Sequence, residues 1–301
     1  MTPDLVSPHD PVRDLYSDGD QVEEDILTVV REGRDVTDVL VRDRRWPVLY
    51  HLSPERRNLL EWFPFAPGAS LLELGAGCGA LTGLFCEKLG RVVAVELSER
   101  RSAVIRARFG MFPNLTVLAG NLMEAPITGM FDYVTAIGVL EYARAFIPGP
   151  DPYGAFLGRA ARHLAPSGTL LLALENKFGL KYFAGAREDH TGRPFESLEG
   201  YPHPDPVETF SRSEIADLLA RHGFSDQTFY YPHPDYKLPV EIFSDNYLPD
   251  VHAKLDASLN LDQDRFRCFD EKLAMANIIR SGAFTFFANS FLIAAQRGHG
   301  P

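Results

Sequence analysis

The sequence predicts an α/β fold: a doubly wound, mainly parallel sheet with helices on both faces. Three observations carry that expectation. Ser70 to Glu96, SLLELGAGCGALTGLFCEKLGRVVAVE, reads as strand, glycine turn, helix and second strand closing on an acid, which is a βαβ unit. Apolar strands and helical apolar spacings continue to alternate as far as residue 175. The 301 residues, 45% hydrophobic and 24% charged, have the composition of a globular protein large enough for one α/β domain with additions.

The elements follow in order. Residues 1 to about 20 are rich in Pro and Asp and are expected to be loose. Gln21 to Arg31 carries Val22, Ile26, Val29 and Val30, the spacing of a helix with one buried stripe. Ser53 reads as an N-cap with Pro54 at the first helical position, and Leu59, Leu60 and Trp62 would pack that helix on the sheet. A helical cap is therefore expected over residues 1–66 and the sheet domain over 67–301. After the βαβ unit come a helix over SERRSAVIRARFG, a third strand from Leu115 to Gly120, and a fourth from Phe131 that ends near Glu141-Tyr142. Pro152 to Leu164 is a helix, and Thr169 to Leu174 is an apolar run of the kind buried on both faces. The segment 177–208 is long, aromatic and charged, as lids and binding loops are. Ser211 to Glu214 is a capping box opening a helix to His222. Gln227 to Tyr231 and Phe284 to Ala295 read as the last two strands, about fifty residues apart, with a second insertion over about 236–282 that holds a helix from Glu271 to Arg280. The pentapeptide YPHPD occurs twice, at Tyr201 and Tyr231, too short to be a repeat fold.

The glycine turn points to chemistry. Gly75, Gly77 and Gly79 permit a ligand to approach the backbone closely. The spacing departs from the dinucleotide fingerprint G-x-G-x-x-G, whose third glycine falls at Ala80. Glu73, two residues before the first glycine, would repel a pyrophosphate and attract an amino group. Glu96, at the tip of the second strand, can accept two ribose hydroxyls. The net charge of −11 disfavours a phosphate-backbone partner, so no nucleic acid is expected. Cys78, Cys86 and Cys268 lack metal-ligand spacing, and no metal is expected. MTPDLVSPHDPVRD lacks a signal-peptide core and no stretch reaches the ~18 apolar residues of a span, so a cytoplasmic protein without a membrane partner is expected. Oligomeric state is left open, a homodimer included.

Glu73-x-Gly75-x-Gly77-x-Gly79, the acid at Glu96, Gly120-Asn121-Leu122 and the fourth-strand exit IGVLEY together resemble the class I S-adenosylmethionine (SAM) methyltransferases over about residues 50–296. YHLSPERRNLLEW, ENKFGLKYFAGAREDHTGRPFESLEGYP and YYPHPDYKLP resemble a branch found in polysaccharide and secondary-metabolite gene clusters. The resemblance implies a Rossmann-like sheet of order 3-2-1-4-5-7-6 with an antiparallel last strand, and SAM as cofactor. It implies that Gly75, Ala76, Gly77 and Gly79 face the methionine moiety and Glu73 its amino group. Glu96 and Leu97 would lie at the ribose, Asn121 and Leu122 at the adenine, and Ile137 at the fourth-strand tip. Asn121 has a second reading, a loop residue satisfying its own turn. Tyr50, His51 and Arg56 either reach the methionine end or pack the N-terminal segment. The expected reaction is methyl transfer to a small-molecule acceptor, a hydroxyl on a sugar or secondary metabolite. His190 is the first candidate base, paired with Asp189, ahead of Glu141 and His51; a polar loop tip is the other reading of the Asp-His pair. Glu141 is equally open to roles as substrate anchor or structural acid. The rivals are an NAD(P)-dependent oxidoreductase and a SAM-fold protein that binds without transfer. No N-P-P-Y-type run follows the fourth strand, which counts against a nucleic-acid N-methyltransferase.

Overall fold

A computed structural model describes residues 17–258, 260, 261 and 263–298. The expectation for residues 1–16 falls outside them.

Eight strands form one sheet in the order β3-β2-β1-β4-β5-β8-β6-β7. They are β1 (Ser70–Leu74), β2 (Arg91–Glu96), β3 (Leu115–Ala119), β4 (Phe131–Ile137), β5 (Leu164–Glu175), β6 (Asp226–His233), β7 (Glu241–Ser244) and β8 (Ser290–Gln296). β3-β2-β1-β4-β5 are parallel, and β8 runs antiparallel between β5 and β6. Counting only the first six strands and the final one, this is the expected 3-2-1-4-5-7-6 order. The short β7 is an addition at the edge beyond β6. It lies in the second insertion, where four residues without clean alternation gave no strand signal.

The pleat sorts alternate side chains to opposite faces. Leu72, Leu74, Leu170, Leu172 and Leu174 join one buried cluster, and Leu71, Leu171 and Ala173 join the other. The long helices are α1 (Asp20–Arg31), α2 (Val36–Arg42), α3 (Trp46–Leu52), α4 (Thr82–Lys88), α5 (Glu99–Phe109), α6 (Pro152–His163), α7 (Arg212–Arg221) and α8 (Glu271–Arg280). α6 and α7 supply Phe156, Leu157, Ile215 and Leu219 to the first face, and α4 supplies Leu84 and Phe85 to the second. Ser211 and Glu214 form the expected capping box of α7.

Three local expectations are corrected. The segment after Ser53 is a 3-10 helix, Pro54–Leu59, although Ser53 does accept from the Glu55 amide. α2 and α3 precede it and were not foreseen individually: each is only seven residues long, and α2 packs Val36, Val39 and Leu40 only partly buried against the N-terminal cluster. The last strand begins at Ser290, because Phe284–Phe287 forms a helical turn whose Phe284 packs in the core.

The N-terminal helices sit over the glycine turn. Ile26 and Leu27 of α1, Val48 and Leu52 of α3, Cys78 of the turn and Val104 of α5 form one buried cluster. Buried ion pairs add to it: Arg101 of α5 lies 2.8 Å from Glu23 and 2.7 Å from Asp18. The carboxyl ends of β1, β2, β4 and β5 open beneath this cover, where ligands of open α/β sheets bind.

Candidate active site

Two chambers meet at the strand ends. The first holds about 520 Å3 of empty space, including space open to solvent, and is apolar: Leu97, Leu122, Val139, Phe146 and Phe156 line it, with Glu96 and Asn121 at its polar side. The second holds about 1220 Å3 on the same measure and is polar, walled by Glu73, His51, Arg56, Glu141, Glu175 and His190 among others. Gly75 and Tyr142 line both.

The turn itself is built for close approach. Gly75, Gly77 and Gly79 have φ of 72°, 56° and 77°, a region costly for residues with a Cβ. Glu96 is fully buried, its two oxygens accepting from the Gly77 amide at 2.8 Å and the Ser98 amide at 2.9 Å. It therefore holds the turn in shape while facing the first chamber, and burial raises its pKa. Burial likewise pushes the Glu73 carboxyl up to about 8, against a 2.6 Å hydrogen bond from Thr82. Asn121 accepts from the Met123 amide at 2.9 Å, so its side-chain oxygen closes its own turn on the chamber wall.

Ala76, Gly77, Ile137, Tyr50, His51 and Arg56 line the second chamber. The Arg56 guanidinium lies 4.3 Å over the Tyr50 ring and donates to the Lys237 carbonyl at 2.6 Å. It ties the N-terminal segment to the chain after β6 at the chamber wall. His51 pairs with Asp18 at 2.7 Å, and burial lowers its pKa, leaving a neutral ring packed beside Gly77.

The 177–208 segment closes the far side. His190 and Asp189, adjacent in sequence, go to different partners, so they are not a base and its orienter. His190 Nδ1 lies 2.9 Å from Glu188, and its Nε2 faces Glu141 at 3.8 Å and Glu175 at 3.9 Å. Burial opposes charge on this ring, but Tyr142, Glu141 and Glu188 outweigh burial and hold its pKa well above the usual value. Its carboxylate partner is therefore Glu188, not the adjacent Asp189. Asp189 lies 2.6 Å from Lys181 and 3.1 Å from Lys237, and Tyr182 donates to it. Despite its burial, these two cations hold it well below the carboxylate range.

Glu141 is fully buried, and neither of its oxygens has a hydrogen-bond partner among the described residues. Burial and the nearby Glu175 raise its pKa. Val139 and Glu175 complete the walls at the strand ends, where the strand-end rule expects the active edge, while Tyr236 and Lys237 were not among the expected site residues. Tyr236 and Lys237 come from after β6, and no spacing in sequence ties them to the turn.

Residues 47–228 match the family described as "Methyltransferase domain". A ribosomal RNA small subunit methyltransferase A of Geobacter sulfurreducens is 39% identical over 57 residues, 19% of this chain and 21% of its own length. A probable S-adenosylmethionine-dependent methyltransferase of Mycolicibacterium smegmatis is 28% identical over 170 residues, 52% of this chain and 62% of its own. Of the first two curated relatives, both ribosomal RNA methyltransferases, the matches span 21% and 32% of their lengths. Among solved structures, a chain from the complex between the Haloferax volcanii Trm112 methyltransferase activator and a methyltransferase aligns with TM-score 0.50 at 19% identity, covering 94% of this chain and 99% of that one. The chain belongs to the methyltransferase-domain family: it has the class I methyltransferase fold, and its cofactor is S-adenosylmethionine. No helix among the described residues is long and apolar enough to cross a membrane.

Proposed function

We propose that this protein transfers a methyl group from SAM to a hydroxyl of a small, oxygen-rich acceptor such as a sugar or secondary metabolite. The observation that carries the reading is the meeting of the two chambers at Gly75 and Tyr142. Adenosine occupies the apolar chamber, with Glu96 at the ribose and Leu97 and Leu122 against the base. The methionine portion crosses the glycine turn, its ammonium toward Glu73. The sulfonium methyl then faces the polar chamber, where Glu141, Glu175 and His190 receive the acceptor.

Transfer is an in-line displacement. The hydroxyl oxygen forms a bond to the methyl carbon, the carbon–sulfur bond breaks, and its electron pair stays on sulfur to give S-adenosylhomocysteine. The hydroxyl proton passes to Glu141, which lines the polar chamber and whose oxygens have no hydrogen-bond partner among the described residues. Because the sulfonium is already activated, alignment supplies much of the rate.

Nucleic acid is the acceptor named for the ribosomal RNA relatives. The charge of −11 and the several carboxylates lining the acceptor chamber favour a small molecule here. The test is titration with SAM, S-adenosylhomocysteine and NADH, followed by labelled methyl transfer to sugar, phenolic and RNA acceptors. Micromolar binding of the first two, with label on a small hydroxylated acceptor that falls about 100-fold or more in Glu141→Gln, is expected. Binding of NADH alone, or label on RNA alone, would sink the reading.

A further inference from the structure

Resting on that acceptor chamber, we infer that Glu141, Glu175 and His190 form a binding site for a divalent first-row metal cation, which takes an acceptor oxygen as a further ligand. One ligand atom from each of the three residues lies within 4.8 Å of the others. Three donors about 2.0–2.2 Å from one cation are separated by about 3.0–3.8 Å in ordinary geometries, so side-chain shifts of up to about an ångström close the set.

Independent features of these residues point to a cation. Glu141 is fully buried on the chamber wall, neither oxygen has a hydrogen-bond partner among the described residues, and its nearest cationic neighbour is His190 Nε2 at 3.8 Å, too long to satisfy a buried carboxylate. His190 is held as metal-ligating imidazoles are held: Nδ1 engages the Glu188 carboxylate at 2.9 Å, and Nε2 turns toward the other two acids. Lys237 approaches Glu175 through Oε1 at 2.5 Å, which leaves Oε2 on the His190 side as the ligating oxygen. The connected cluster contains the carboxylates of Glu141, Glu175, Glu188, Asp189 and Asp235 against the ammonium groups of Lys181 and Lys237. Negative charge is in excess, and a divalent ion offsets two units of it. A proton on His190 is the rival occupant of the same space.

The donor set of two carboxylates and one imidazole suits Mn2+ or its first-row neighbours and excludes the soft-ligand ions. Three protein ligands leave coordination positions open, which favours an acceptor with adjacent hydroxyls. This reverses the expectation, drawn from cysteine spacing alone, that no metal binds.

The experiment is titration of the full chain, freed of metal with EDTA, with Mn2+, read by paramagnetic resonance of the free ion and by calorimetry. One Mn2+ per chain is expected, with affinity about tenfold or more weaker in each of Glu141→Gln, Glu175→Gln and His190→Ala. Melting curves by circular dichroism restrict the comparison to folded variants. No binding by the wild-type protein, or equal binding by it and all three folded variants, would overturn the inference. SAM is titrated on the same wild-type sample. SAM binding without Mn2+ binding removes the cation and leaves the methyl-transfer reading; Mn2+ binding without SAM binding does the reverse.

Discussion

Gly75 has φ of 72°, and a Cβ built on it would lie 2.5 Å from Val139 Cγ2. Gly75→Ala therefore combines backbone strain of about 1–2 kcal/mol with an overlap at the junction of the two chambers. We expect SAM affinity to fall about tenfold or more, measured by calorimetry. Glu73 gives a second test at this scale. Its folded pKa of about 8 lies above the usual carboxyl value of 4.5, so between those limits the folded state keeps a proton that the unfolded chain has released. Its stabilising contribution is complete below pH 4.5 and is lost as pH rises toward 8. Denaturation of the ligand-free protein at pH 6 and pH 8.5 should show Glu73→Gln gaining on wild type at the higher pH, while its SAM affinity drops. A constant difference between the two proteins would remove Glu73 as the titrating group. The glycines and both acids were readable as residues in sequence. The environment that pushes Glu73 up was not, because burial is a property of what packs around it.

At the scale of elements, the 177–208 segment is pinned to the sheet by ion pairs rather than by a strand. Lys181, buried to 1% exposure, and Lys237 share Asp189, and Lys237 also reaches Glu175 at the end of β5. Removing one partner leaves buried charge uncompensated. Asp189→Asn should destabilise the protein by about 3–5 kcal/mol, seen as a lower urea midpoint. A cost below about 1 kcal/mol would mean that water replaces the lost partner. Sequence showed the segment's length and charge but paired Asp189 with the wrong neighbour, His190. Adjacent side chains leave a turn in different directions, and sequence proximity does not decide which meets which. β7 and α2 were missed because they are short, four and seven residues, so the periodic signal in each is weak.

For the whole molecule, the cleft at the strand ends is roofed by helices that precede the sheet in sequence, and its far wall comes from the segments after β5 and β6. A ligand held by so many elements should couple to global unfolding. S-adenosylhomocysteine at 100 times its Kd should add about 2.7 kcal/mol to unfolding free energy by mass action, read as a raised melting temperature. A ligand-independent melting temperature would place binding on a part that unfolds separately.

What the sequence determined by itself was the periodic and the local. Alternating apolar runs marked the strands, glycine spacing marked the turn after β1, and Ser211 with Glu214 marked a helix start, because each signal lies within a few residues of chain. What only the tertiary structure decided was the acceptor end. Glu141, Glu175, His190 and Lys237 come from positions nearly a hundred residues apart and meet only because β4 and β5 end side by side while two insertions fold back over them. The raised pKa values of Glu141 and His190 follow from that convergence of buried charge, which no spacing along the chain encodes.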